Sequence, residues 1–345
     1  MNAQGRPDIA GTLTLATCNV LNLALPGRSY YANQEPYTAQ EYQRKIDWLG
    51  DSLKNLNADI VAVQEIWDEA ALQEAVKASG LRYRTVKSPG AENTDASGKP
   101  LPGAEGTPRV GFITRLETLA LQSYREIDPA MHADVPDIGP HVRFERPPLH
   151  LTVKLDSGQP LHVLTVHMKS KRPKFLQAAD GNYLEDTDDP KIQARATLRS
   201  LIMRGVEAAA LRGLIVDVVK GRQGPLIVMG DFNDGPHSVT TQILAATSEV
   251  AYDRAASDVA LFNAYELQGQ AGMRRDVAYS HVHQGRPDIL DQIFVSEEFL
   301  RSSKYAVGDV ARVDYFNDHL HQGRDRSRSD HGFVRAVLRL YGQAG

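Results

Sequence analysis

The stretch "GPLIVMGDFNDG", Gly224 to Gly235, carries the reading of the fold. Leu226, Ile227, Val228 and Met229 form a short unbroken apolar run between glycines, the pattern of a strand covered on both faces. The run stops in Asp231, Asn233 and Asp234. Carboxylates at the end of a covered strand lose hydration, which is unfavourable unless a partner compensates it. Solvation at a chain end is one explanation; a metal ion or a reacting group is the other.

The same pattern recurs along the chain. Apolar runs at Leu13–Val20, Asp59–Ile66, Leu149–Leu155, Leu161–Met168, Gln292–Ser296 and Phe333–Leu340 read as further strands, with clear alternation in "LHLTVKL". Polar groups sit at or beside their ends: Asn19, then Gln64 and Glu65, then His167, Asp291, and Asp330 with His331. Such clustering at strand ends is where α/β sheets build their sites. Helical spacing marks "YQRKIDWLGDSLKNL", "AALQEAVKASG" with Gly80 as its cap, and the alanine-rich "IQARATLRSLIMRGVEAAALRGLIVDVV". Strands and helices mix without a composition break, so one α/β (α+β) domain is expected over residues 13–345, after an N-terminal extension of residues 1–12. Ser88–Arg109 and Asp180–Pro190 read as surface loops.

Composition narrows the function. The 345 residues carry 39 basic and 43 acidic side chains, so an anionic partner must be met by a local basic patch. Cys18 is the only cysteine, which excludes an internal disulfide. The first residues lack a basic segment followed by a long apolar core, and no apolar run is long enough to span a bilayer; a cytoplasmic chain without stable membrane association is expected. The strand-end set offers oxygen and imidazole but no thiolate, which suits a hard cation such as Mg²⁺. Glu65 is the leading ligand candidate, with Asp330 and Asn19 beside it. Zinc has weaker grounds, because HExxH and cysteine-pair spacings are absent; His281 and His283, alternating on one strand, are the remaining zinc candidates.

Taken in order, "TCNVLN", "VAVQEI", "TVHMKS", "VMGDFND", "LDQIFVS" and "RSDHGF" resemble the endonuclease/exonuclease/phosphatase superfamily over about Leu13 to Leu340. The resemblance implies a four-layer sandwich, two mainly antiparallel β-sheets flanked by helices, with the active site at one end of the sheets. It implies metal-site roles for Asn19, Glu65 and Asp330. Asp231 and Asn233 would position water and phosphate, Asp291 would orient His331, and His167 would donate to a phosphate oxygen or the leaving group. "RFERPPL" resembles the deoxyribonuclease branch and makes Arg146 a phosphate-contact candidate. Abasic-site endonucleases commonly carry an Asp where this chain has Leu21, so that branch fits less well.

The expected reaction is divalent-metal-dependent hydrolysis of a phosphodiester, with Mg²⁺ or Mn²⁺ stabilising charge on the phosphate. Either Asp231 or His331 would act as general base. Lys169, Lys171, Arg172 and Lys174 follow His167 directly, and Arg274 with Arg275 could extend that basic surface, favouring DNA or RNA as substrate. A phosphomonoesterase or phospholipase of the same superfamily is the alternative.

Overall fold

The computed structural model of the chain describes residues 8–31, 34–89, 108–178, 181–220, 224–246, 250, 252–268 and 277–342. The first half contains strands β1 (Ile9–Leu23), β2 (Ile60–Ile66), β3 (Thr85–Lys87), β4 (Arg109–Thr114), β5 (Glu117–Ser123), β6 (Asp134–Val135), β7 (Gly139–Pro140), β8 (Leu149–Lys154) and β9 (Pro160–His167). The second half contains β10 (Leu226–Asp231), β11 (Phe262–Asn263), β12 (His281–His283), β13 (Arg286–Asp288), β14 (Asp291–Val295), β15 (Gly308–Phe316) and β16 (Phe333–Tyr341). The longer helices are α1 (Ala39–Leu56), α2 (Glu69–Ser79), α3 (Pro190–Val219) and α4 (Val239–Ala245).

Helix boundaries follow local chemistry. At α1, Thr38 accepts from the Glu41 backbone N–H while the Glu41 carboxylate accepts from the Thr38 N–H, a reciprocal capping box. Asp189 caps α3, and Pro190 occupies the first turn, where a missing N–H does no harm. Gly80 closes α2 in the left-handed conformation.

Two six-stranded sheets result, ordered β15-β16-β1-β2-β4-β3 and β11-β14-β10-β9-β8-β5. Each is antiparallel except for its central pair, β1 with β2 and β9 with β10. Parallel neighbours need a long crossover. Helix α1 lies within the first crossover and α3 within the second. The sheets pack on each other through Leu13, Leu15, Ile60, Ala62, Val163, Ile227, Met229 and Ile293, among others. The outer face of the first sheet meets α1 and α2 through Cys18, Val63, Leu49 and Leu72. The second sheet meets α3 and α4 through Val166, Val228, Leu211 and Leu244. The order helix, sheet, sheet, helix is the four-layer sandwich expected from the sequence.

Some boundaries differ. Strand β1 starts at Ile9, paired with Tyr341, so residues 9–12 belong to the first sheet rather than to an N-terminal extension. Arg109 opens β4 rather than ending a loop, because it pairs with Ile66. Pro190 is likewise the first residue of α3 and not the last of a loop. The remainder of the Ser88–Arg109 loop at 90–107, together with Asp180, Arg274 and Arg275, lies outside the described residues. No helix of the described residues is long and apolar enough to cross a membrane.

Candidate active site

Strand alternation builds the site. Side chains two apart share a face, so on the inner face of β1 the order towards one pole is Leu13, Leu15, Thr17, Asn19. The same face of β9 reads Leu161, Val163, Thr165, His167, and that of β10 reads Ile227, Met229, Asp231. In β2 it reads Ile60, Ala62, Gln64, and β14, running the other way, ends on Asp291. The dry core between the sheets thus passes through a polar bridge before reaching the pole. In that bridge Thr17 donates to Gln64 Oε1 at 3.2 Å, and Gln64 Nε2 donates to Thr165 Oγ1 at 3.0 Å. All three residues have no exposed surface.

The polar residues above the bridge meet across the seam between the sheets. Asn19 Nδ2 donates to Glu65 Oε1 and to Asp231 Oδ2, each at 3.1 Å. Glu65 Oε2 accepts from the Asn22 N–H at 3.0 Å. Asp231 Oδ1 accepts from the Asn233 N–H at 2.8 Å, an Asx turn that bends the chain away from the strand. His331 Nδ1 lies 2.7 Å from Asp291 Oδ2, and its Nε2 lies 4.0 Å from Asp231 Oδ2. His167 Nε2 lies 3.4 Å from the same Asp231 oxygen.

Backbone strain marks this pole. Leu21, Asn22, Glu65 and Asn233 are left-handed, with φ of 50°, 52°, 65° and 51°. The ladder slips between Asn19 and Leu23 and again between Val63 and Ile66, bulges that re-aim the side chains between them. Gly230, before Asp231, has φ 151°, and a Cβ there would sit 2.0 Å from the Val166 carbonyl oxygen. Only glycine fits that contact.

Burial and like charge set the protonation states. Burial raises Asp231 to about 6, against the pull of the His331 charge. Burial, then the Asp330 charge, raises Glu65. For His331 burial works downward, but the charges of Asp291, Asp231 and Asp330 outweigh it and hold the ring protonated well above the usual imidazole range. His167 is driven well below that range by burial and by Arg146, so it is neutral.

The expected site residues fall into three groups. Asn19, Glu65, His167, Asp231, Asn233, Asp291 and His331 converge, as just described. Asp330 stands exposed beside them, its charge acting on Glu65 and His331. The basic residues are more dispersed. Arg146 donates to the His167 carbonyl at 2.9 Å and to the Met168 carbonyl, which fixes the turn after β9. Lys169 is buried, with Nζ 3.4 Å from Ser170 Oγ and 4.0 Å from Glu145. Lys171 is held by Asp288 at 3.0 Å and Asp234 at 3.4 Å, Lys174 reaches Glu145 at 3.9 Å, and Arg172 is exposed. Asn233, expected to donate to phosphate, instead directs its amide to the Met168 carbonyl at 3.0 Å and to Asp231 at 3.3 Å, and so positions Asp231.

Other contributors were not singled out from the sequence. Ser329 donates to the Asn19 carbonyl at 2.6 Å and accepts from the His331 N–H at 3.0 Å. Ser280 accepts from the Leu290 and Asp291 N–H groups, at 3.0 and 2.8 Å. Both tie the His331–Asp291 pair to its surroundings. Ser329 was available from its place inside "RSDHGF".

One ligand atom each from Asp231, Asp291 and His331 lie within 4.8 Å of one another, the one such group of three among the described residues. It differs from the expected set of Asn19, Glu65 and Asp330, and Asn19 links the two through its bonds to Glu65 and Asp231. Asp291 Oδ1 is buried without a hydrogen-bond partner. Carboxylates, one of them with an unpaired buried oxygen, fit a hard divalent ion, whereas the Asn19 oxygen accepts from the Leu21 N–H. His281 and His283 belong to no such group, which leaves the zinc alternative without support among the described residues.

A cluster of carboxylates and imidazoles at one pole of a two-sheet sandwich can serve phosphoester hydrolysis with a divalent ion. The Endonuclease/Exonuclease/phosphatase family pattern matches residues 16–331, and the chain belongs to that family. It is a hydrolytic family acting on phosphoester bonds. No curated protein sequence matches significantly. Among solved structures, the human nocturnin catalytic domain with bound sulfate has a TM-score of 0.56 at 15% identity, covering 95% of this chain and 94% of its own. A mannosyl-6-phosphatase of Bacteroides thetaiotaomicron VPI-5482 has a TM-score of 0.55 at 16% identity, with 94% and 99% covered. An endonuclease/exonuclease/phosphatase family protein of Bacteroides thetaiotaomicron has the same TM-score and identity, with 95% of each chain covered. At these identities the likeness concerns the fold.

Proposed function

We propose that the protein hydrolyses phosphodiesters with the help of a divalent cation, Mg²⁺ or Mn²⁺, and that its substrate is DNA or RNA. The observation that carries the reading is the pairing of a protonated imidazole with an ionisable carboxylate: His331, held by Asp291 at 2.7 Å, faces Asp231 at 4.0 Å. Above about 6 Asp231 is ionised and can take a proton from water. His331 carries the proton that neutralises charge growing on the phosphate or its leaving oxygen. Neutral His167 flanks Asp231 from the other side and holds its orientation. Glu65 and Asp330, with Asp231 reached through Asn19, would hold the cation, which when bound supplies a Lewis acid for the phosphate oxygens.

Charge favours a diester over a monoester. Glu145 lies within 4.0 Å of Arg146, Lys169 and Lys174, and Lys171 is occupied by two aspartates, so among the described residues few of the expected cations are left unpaired. A diester brings one negative charge, a monoester close to two. A nucleotide is supported by Tyr31, 37% exposed, edge-on to Trp67 at 5.1 Å and within the fields of Glu65, Arg146 and Arg172. A partly exposed aromatic ring suits a stacked base.

The test offers bis(p-nitrophenyl) phosphate, p-nitrophenyl phosphate, single-stranded DNA, duplex DNA and RNA, each with Mg²⁺, Mn²⁺ or chelator. Metal-dependent cleavage of the diester and of a nucleic acid is expected. Phosphate release from the monoester with nucleic acid left intact would place the protein among the phosphomonoesterases instead.

A further inference from the structure

The histidines of "YSHVHQG" belong to no metal-ligating group among the described residues, yet the fold carries them to the rim of the site. Strands β12 and β13 form a hairpin in which His281 faces Asp288 and His283 faces Arg286. Its two-residue turn, Gln284 and Gly285, has φ of 50° and 77°, the primed geometry whose twist matches that of the strands. A lone hairpin is marginal in water. This one is fastened at its base, where the Gly332 N–H donates to the Ser280 carbonyl at 2.6 Å, and on its second strand, where Asp288 accepts from Lys171 at 3.0 Å.

The hairpin continues the site outward. His281 makes an antiparallel bridge with His331. Residues opposite one another in such a pair share a face, as do residues two apart on one strand. His331, His281, His283 and Arg286 therefore lie on one face in that order, and the rings agree. The His281 ring centre is 5.0 Å from that of His331 and 6.4 Å from that of His283, with only 15° between the latter two planes. Exposure rises along the series: His331 is buried, His281 half-buried, His283 and Arg286 exposed. Among the described residues the side chains of His281, His283 and Arg286 make no hydrogen bond or ion pair. A half-buried imidazole normally has a partner. Here three donor groups in a row, leading out from the reaction centre, are left for a ligand.

We propose that His281, His283 and Arg286 form a second phosphate subsite, which binds the phosphate next to the scissile one and so selects a polynucleotide chain over a single diester. This rests on the nucleic-acid reading above. An imidazole N–H and a guanidinium both donate to phosphate oxygens, the guanidinium with a full charge. The carboxylate on this face of the hairpin, Asp288, is engaged by Lys171. A hairpin serving only to brace His331 would act on every substrate alike. A second subsite acts on those that carry a second phosphate.

The experiment measures kcat/KM with Mn²⁺ on a dinucleotide without terminal phosphates, which has a single phosphate, and on a single-stranded decamer. It compares the wild type with His281→Gln and with the double variant His283→Ala/Arg286→Gln. The wild type is expected to favour the decamer. Both variants should lose about tenfold on the decamer, chiefly through KM, and a several-fold smaller factor on the dinucleotide. Loss of the Arg286 charge should also flatten the dependence of log kcat/KM for the decamer on log salt by about 0.7. Falls of equal size on both substrates, or no fall on the decamer, overturn the inference alone. So does a wild type that cleaves nucleic acid without favouring the decamer over the dinucleotide. A wild type that cleaves no nucleic acid overturns the nucleic-acid reading and the inference with it. The double variant lies at exposed positions and decides the matter should circular dichroism show that His281→Gln has lost its fold.

Discussion

Replacing Asp231 by Asn separates what this carboxylate does for catalysis from what it does to stability. Burial lifts its proton affinity from 3.8 to about 6, so the folded protein binds the proton more tightly than the unfolded chain. Stability linked to this group is therefore greatest below the unfolded value and declines as pH rises through about 6. A shift of about two units corresponds to about 3 kcal/mol in full, of which about 2 kcal/mol falls between about pH 4 and about pH 8. The Asn variant lacks that loss. It does place an amide N–H₂ among donors from Asn19 and Asn233, a penalty of about 1–3 kcal/mol that does not vary with pH. Urea unfolding in chelator at several pH values removes the constant penalty by comparison. Relative to wild type, the variant should gain about 2 kcal/mol from about pH 4 to about pH 8. Its hydrolysis should fall about a hundredfold or more. Parallel stability curves would refute the account of Asp231 as a strained, proton-hungry carboxylate.

Other outcomes follow from the same geometry. Gln64→Ala strips Thr17 and Thr165 of their shared partner, so urea unfolding should show a loss of about 2–4 kcal/mol. Wild-type kcat/KM should fall on the acid side through about 6 as Asp231 takes a proton. It should also fall at alkaline pH as His331 loses its own, and Asp291→Asn, by removing the charge that holds that proton, should move the alkaline limb to lower pH. Lys171→Ala should change hydrolysis of bis(p-nitrophenyl) phosphate by less than about threefold, because its amine is held by Asp288 and Asp234 at the surface. Arg146→Ala, which frees the His167 and Met168 carbonyls, should lower it by about tenfold or more in steady-state assays.

The fold was legible over most strands buried on both faces, although β4, buried almost throughout, was missed because its short run "VGFIT" opens directly from the Ser88–Arg109 stretch. Runs such as Leu226–Met229 and Leu161–Val166 admit few alternatives, and the polar residues that follow them lie on the face that alternation assigns. Strand β5, "ETLALQS", escaped notice because it is an edge strand with mostly exposed or half-covered side chains. The convergence of Asn19, His167, Asp231 and His331 was readable as a set, since each ends or abuts a central strand. The basic patch misled: adjacency in "HMKSKRPK" says nothing of Glu145, Asp234 and Asp288, which arrive from elsewhere and occupy three of its lysines.

The contacts at the pole that join one sheet to the other are Asn19 with Asp231, Gln64 with Thr165, and His331 with Asp291. Sliding of the two layers by a fraction of an ångström would lengthen all three together. Turnover is then a gauge of how the layers are aligned. Loosening the distant apolar packing between them, at Leu151 or Phe112 for instance, should blunt the chemistry while each sheet, taken alone, stays intact.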